Sequence, residues 1–178
     1  MLVDGRGEPT GTADKRSSHH ADTPLHLAFS CYVFDDAGRF LATRRSTAKS
    51  VWPGVWTNTA CGHPAPGESF RAAIERRLDH ELGMRVDDIN VVVPDHIYRA
   101  PPFRGIVEHE FCPVFVARAR SAPRPNPDEV AEHRWMRWED FVRAARTDAA
   151  DRFSWWCKNQ LAQAAGQLGV CGTGVAAS

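Results

Sequence analysis

Apolar and polar positions alternate or cycle along most of this chain, and the two periods divide it into strands and helices. "HLAFSCYVF" and "RFLATRR" are apolar, β-branched and aromatic runs joined by "DDAG". They predict a β-hairpin with Gly38 at the turn position that needs a positive φ. A further short strand is expected over residues 55–58. Over residues 68–82 the period lengthens to that of a helix: Phe70, Ala73, Ile74, Leu78 and Leu82 form one stripe, and Gly83 is a stop signal. "INVVV", "HIYRA" and "GIVEHEFCPVFVARA" read as strands interrupted by Pro94 and the turn "APPFRG". After the Pro-rich surface loop "SAPRPNPDE" come a strand over 133–138, a short helix over 139–146 and a last helix over about 152–167. No internal repeat is present. The expected division is a loop-like lead-in at 1–22, one domain at 23–168 and a frayed tail of small residues at 169–178.

Composition narrows the class. The chain has 178 residues, 43% of them hydrophobic and 25% charged, which suits one domain with a sizeable core. Lys plus Arg and Asp plus Glu both total 22, so no global field recruits nucleic acid or an anionic membrane, and any anion site must be local. Five cysteines, odd in number and without CxxC spacing, argue against a disulfide framework or a zinc ribbon and favour a reducing, cytoplasmic setting. There is no apolar leader and no apolar run approaching about 18 residues, so neither export nor a membrane span is expected.

Several polar residues break the pattern. On a wheel of about 100° per residue, Glu81 falls about 20° from Phe70, in the middle of the apolar stripe and at the helix C-terminus, where the macrodipole disfavours it. Either the last turn frays, or Glu81 meets a buried cation, a metal ion being one candidate. Glu108 and Glu110 share a strand face about 7 Å apart, on a face that turns apolar at Cys112. They are either solvated at a strand end or aimed into a cavity where they bind a metal or move a proton. "TNTACGHPAPGES" brings Cys61, His63 and Glu68 close in sequence, compatible with a metal site, an acid–base thiol or a plain tight turn. His19, His20 and His26 lie in a segment with little packing role. Together with His63 and the two glutamates they make a mixed nitrogen and oxygen set suited to an octahedral first-row ion rather than to structural zinc.

Taken together, "HLAFSCYVF", "TRRSTAKSVWPGVWTNTACGHPAPGES", "RRLDHELG", "IYRA" and "GIVEHEFCPVF" resemble the type I isopentenyl diphosphate isomerases, which share the Nudix hydrolase fold. The likeness spans residues 15–156. Of the Nudix box, Gly62, Glu68, Arg76, Leu78, Glu81, Gly83 and Met84 fit, whereas Arg77 and His80 stand where two glutamates belong. That departure weakens a pyrophosphate-cleaving reading.

The resemblance implies an α+β fold, an α/β/α sandwich with a mixed sheet flanked by helices. The implied reaction interconverts isopentenyl and dimethylallyl diphosphate through a carbocation-like state, a step of isoprenoid biosynthesis. It further implies that His19, His26, His63, Glu108 and Glu110 form one metal centre for Mn2+ or another divalent ion, with His20 an alternative to His19. Glu81 would help hold Mg2+ against the substrate diphosphate. Cys61 and Glu110 would transfer protons, Tyr98 would lend a hydroxyl, and Trp156 would wall the pocket. Lys15, Arg45 and Lys49 would bind the diphosphate. The expected partner is this small molecule alone, in a monomer or weak homodimer. Two rivals remain: a Nudix hydrolase of another diphosphate, and a non-catalytic diphosphate-binding module.

Overall fold

The six residues of "FSCYVF" are all buried, and their alternation assigns them to two different cores. The computed structural model describes residues 1–13 and 20–172, so the expectations for Lys15 and His19 lie outside the described residues. In strand β4 (Phe29–Phe34), Phe29, Cys31 and Val33 pack on one side with Ala73, Ile74, Leu78 and Leu82 of helix α1 (Phe70–Leu82). Tyr32 and Phe34 face the opposite side, towards helices α2 (Trp138–Arg146) and α3 (Trp155–Gly172), with Phe141, Leu161 and Leu168. A strand apolar on both faces has to be sandwiched between helices, and this one is. Each fully buried aliphatic or aromatic side chain contributes about 1.5–3 kcal/mol.

Strand β4 lies inside a seven-stranded mixed sheet. Its main path runs β12 (Val130–Met136), β5 (Phe40–Arg45), β4, β11 (Val114–Ala119) and β8 (Val86–Val93), with β6 (Trp56–Thr57) on β5 and β7 (Ala60–Gly62) on β4. A second, five-stranded sheet runs β2 (Pro9–Gly11), β1 (Leu2–Val3), β3 (His26–Leu27), β10 (His109–Phe111) and β9 (Ile97–Arg99). The architecture is α+β, as expected.

Three local differences from the sequence reading matter. The run 105–119 is not one strand: Pro113 has no N–H to give a ladder, and the chain leaves one sheet after Phe111 and enters the other at Val114. The same step occurs between β3 and β4 at Ala28. These two segments run parallel in both sheets, bridged at the crossing by Ala28 N–H to Phe111 O (2.9 Å) and Ser30 N–H to Pro113 O (3.1 Å). The lead-in contains β1 and β2, which extend the second sheet through β3. Helix α3 continues to Gly172 rather than ending near 167.

Helix α1 starts two residues after Glu68, where the helical period is expected to begin. Ser69 is its N-cap and accepts from Ala72 N–H at 3.2 Å, while Gly83, at φ 55°, closes it. Gly38 has φ 72° in the predicted hairpin turn. Among the described residues no helix is long and apolar enough to cross a membrane.

Candidate active site

The register of three neighbouring strands sets the first corner of the site. Glu110 on β10 is the pairing partner of His26 on β3 and of Tyr98 on β9, so the three side chains stand abreast on one sheet. His63 arrives from the end of β7. The His26 and His63 Nε2 atoms lie 3.1 Å apart, and Glu110 Oε1 is 3.1 Å from His63 Nε2 and 3.7 Å from His26 Nε2. Tyr98 donates its hydroxyl to Glu110 Oε2 at 2.7 Å.

These donors suit a cation. His26 Nδ1 lies 3.0 Å from the Pro24 carbonyl, which can only accept, so that nitrogen carries its hydrogen and neutral His26 presents the Nε2 lone pair to the site. Two ring nitrogens and a carboxylate oxygen, all within 4.8 Å of one another, converge on one point. A divalent ion fits that set.

Charge at this corner is already organised. Burial opposes ionisation of Glu110, but hydrogen bonds from His26 and His63 outweigh it and hold the carboxyl well below its usual range. Burial also works against charge on His26, and the Glu110 contact reverses it to raise the imidazole. Glu108 precedes β10 and faces the same cavity. It is pushed up to about 7, first by burial and then by the neighbouring Glu110 charge.

Cys61 occupies the centre. Where a plain tight turn was one reading, the chain is a strand: β7 pairs with β4, with Cys61 opposite Ser30, and the prolines Pro64 and Pro66 follow it. Gly62 is required, since a Cβ there would come within 2.9 Å of Arg77 Cγ and 3.1 Å of the Phe29 ring. The Cys61 Sγ is 3.1 Å from Asn58 Oδ1 and 3.5 Å from Ser30 Oγ. Burial pushes its thiol up to about 11, with the Ser30 contact opposing.

A second corner lies on the other side of Cys61. Glu81 is buried at 9% exposure, so the last turn of α1 does not fray. The cation it meets is Arg77, one turn earlier on the same helix, which also reaches Glu129 at 3.3 Å. Lys49 pairs with Glu129 as well. Burial raises the Glu81 carboxyl despite Arg77.

A cavity of about 580 Å³ unites most of the expected site residues: Arg45, Lys49, Cys61, His63, Tyr98, Glu108, Glu110 and Trp156 all line it. His26 joins through His63 and Glu110. Glu81 lies instead beside a small neighbouring space of about 40 Å³, which Cys61, Lys49 and Arg45 share. Arg45 is already engaged: its Nε donates to Trp52 O at 3.1 Å, its Nη2 donates to Val51 O at 2.9 Å, and its guanidinium stacks 5.5 Å from the Trp156 ring centre. Trp156 meets Trp52 edge-on at 6.2 Å, and Trp155 packs against Tyr98 at 5.7 Å.

Sequence reasoning missed three contributors. Arg77 lines the cavity as a cation where the Nudix box has a glutamate. Asn58, fully buried, accepts through Oδ1 from Thr57, Cys61 and Trp156 Nε1 (3.2 Å). Ser30 touches Cys61 from β4. The legible signal for Asn58 was a polar triplet, Thr57 to Thr59, between apolar strands; Ser30 gave none.

The NUDIX domain family matches residues 24–157. An isopentenyl-diphosphate Delta-isomerase of Mycolicibacterium vanbaalenii is 49% identical over 165 residues, covering 90% of this chain and 88% of that protein. One from Frankia alni is 53% identical over 145 residues, covering 82% and 75%. Among solved structures, the DR0079 protein of Deinococcus radiodurans superposes with a TM-score of 0.68 at 19% identity, covering 91% of this chain and 96% of that one, a likeness of fold alone. The chain belongs to the NUDIX-domain family and, within it, to the isopentenyl-diphosphate Delta-isomerases.

Proposed function

We propose that this chain interconverts isopentenyl diphosphate and dimethylallyl diphosphate, with Cys61 and Glu110 as the two proton-transferring groups. The carrying observation is that a thiol and a carboxylate from different sheets face one cavity, whose walls also hold an aromatic ring and several cations. The isomers differ by the position of one double bond, so a proton is added at one carbon and another removed two carbons away. An alkene is a very weak base, and a route through a tertiary cation demands an acid and a base held on either side of it.

Each residue has a task its surroundings support. Tyr98 fixes the Glu110 carboxylate by donating to its outer oxygen. Cys61 is kept a thiol by burial, so it has a proton to give. The Trp156 face stabilises a desolvated cation by roughly 0.5–2 kcal/mol, and with Trp52 it keeps water away. Lys49, Arg45 and Arg77 supply the positive rim for the diphosphate, with Lys15 as the further expected cation. A divalent ion such as Mn2+ at His26, His63 and Glu110, with Glu108 and His19 as further ligands, would hold Glu110 as the carboxylate that takes up a proton opposite the Cys61 thiol, and Mg2+ near Glu81 would screen the diphosphate charge. A hydrolase would need its carboxylates free, and here Arg77 neutralises Glu81 and Glu129.

The test is turnover in heavy water. Isopentenyl diphosphate should gain carbon-bound deuterium as dimethylallyl diphosphate appears, without phosphate release, and Glu110→Gln should stop both labelling and isomer formation. Phosphate release with an unlabelled carbon skeleton would establish the hydrolase instead.

A further inference from the structure

Behind Cys61 a row of buried polar side chains runs from the thiol to the middle of α3, and none of its outer members lines the cavity. Gln160 is 1% exposed, and Ser30 and Tyr32 are fully buried. Gln160 Oε1 accepts from the Tyr32 hydroxyl at 2.9 Å, and its Nε2 donates to Ser30 Oγ at 2.8 Å. Ser30 Oγ lies 3.5 Å from the sulfur of Cys61 and 3.5 Å from that of Cys112. Gln160 Nε2 also approaches Cys112 Sγ at 4.0 Å.

The direction of these bonds follows by elimination. Asn58 Nδ2 donates to the carbonyls of Ala60 (2.8 Å) and Cys31 (3.3 Å), so its Oδ1 is the end facing Cys61, and it accepts the S–H proton. Since Ser30 Oγ accepts from Gln160, its own hydrogen is left to donate to a sulfur. Gln160 partly serves Cys112, which leaves Cys61 as the sulfur without another donor in this row. The thiol is thereby held between an acceptor for its proton and a donor to its lone pair.

Were the Gln160 amide turned round, its oxygen would take the Ser30 hydrogen and Cys61 would lose its donor. Tyr32 disfavours this, because its hydroxyl gives its hydrogen to the oxygen end at 2.9 Å and would otherwise have only the more distant Cys157 Sγ, at 3.7 Å, as acceptor. We infer that Gln160 is a positioning residue for Cys61, acting through Ser30 and itself oriented by Tyr32. The inference rests on the assignment of Cys61 to proton transfer, and a network that merely satisfies buried polar groups is the competing account.

A double-mutant cycle separates the two accounts, using the full chain with its divalent ion. Gln160→Met and Ser30→Ala should each lower kcat about tenfold with KM within about twofold, and the double variant should lose no more than the worse single one. Wild-type kcat in Gln160→Met, a change in KM instead of kcat, or losses that multiply would overturn the inference. A second readout needs no turnover: alkylation of Cys61 by iodoacetamide should slow about threefold or more in either single variant, since the donor to the forming thiolate is gone. An unchanged rate refutes the positioning role, whatever reaction the chain catalyses. If Gln160→Met does not melt cooperatively, Tyr32→Phe, which deletes only the orienting hydroxyl, carries the same test with an expected loss of about threefold in kcat. No loss in that variant would overturn the inference.

Discussion

Cys61 stands between two corners that both bury carboxylates and that solve the resulting charge problem in opposite ways. At Glu81 and Glu129 the countercharges are permanent, Arg77 and Lys49. At Glu110 the neighbours are His26 and His63, whose charge depends on a proton. Remove the protons and the same atoms become three convergent lone-pair donors. A buried carboxylate paired with arginine is a structural solution; one paired with imidazoles can exchange its protons for a metal ion. The replacement of a Nudix-box glutamate by Arg77 turns a potential ligand position into a countercharge.

The largest effect expected from this difference is on catalysis. Glu110→Gln should lower kcat by about 10³-fold or more, whereas Glu81→Gln, still able to accept from Arg77, should cost about tenfold. Steady-state isomerisation rates measure both; equal losses would mean that the corners are functionally equivalent.

Stability should reverse the ranking. Arg77→Met leaves the buried Glu81 carboxylate without its partner, beside a half-buried Glu129 that keeps Lys49 and His80, an expected loss of about 3–5 kcal/mol in denaturant unfolding. Pairing it with Glu81→Met should restore most of that, since the uncompensated charge is removed along with its partner. A double variant as unstable as Arg77→Met would show that packing, not charge, holds this corner.

Metal sharpens the contrast next. At an ion concentration about a hundredfold above the dissociation constant, binding adds about 2.7 kcal/mol, or about 5–10 °C in melting temperature for a domain of this size. Chelator-stripped protein should gain this on adding Mn2+. His26→Ala should abolish the gain, and Arg77→Met should leave it intact. The same shift in His26→Ala would place the ion elsewhere.

The sequence made the anomalies legible and left their partners hidden. Glu81 on an apolar stripe announces a buried cation, but a metal ion and Arg77 satisfy that demand equally, and only the side-chain geometry distinguishes them. His26, His63 and Glu110 are visible as chemistry-bearing types; their convergence depends on the pairing of β3 with β10, segments 84 positions apart in the pair His26–Glu110. Ser30 and Gln160 carry no local signal, because a small hydroxyl in a strand and an amide in a helix are unremarkable until the fold brings together two positions 130 apart. Alternation identified β4 and β5 well. It failed at 105–119, where Pro113 vetoes a continuous ladder inside a run that otherwise alternates, and at β1 and β2, which exist through pairing with β3 rather than through any periodicity of their own.

The smallest expected effect tests the comparison just outside the buried corners, on the next residue of the same helix. Arg76 forms a fork with Glu68, donating from Nε at 2.7 Å and from Nη2 at 2.8 Å, while Glu68 also accepts from Ala65 N–H at 2.8 Å. The Arg76 side chain is 48% exposed, so solvent screens what Arg77 feels in full. The Arg76 hydrogen bonds, and then the Ala65 one, hold the Glu68 carboxyl down at about 2 rather than the ordinary 4.5. A depressed carboxyl stabilises the fold above its unfolded value and loses that contribution as pH falls through the folded one. The stability difference between wild type and Glu68→Gln should therefore be constant above about pH 4.5 and shrink between there and about pH 2. Its plateau should stay below about 1 kcal/mol, as exposed pairs do. Urea unfolding at stepped pH measures it, and a plateau as large as the Arg77→Met loss would mean that burial is not what separates the two arginines.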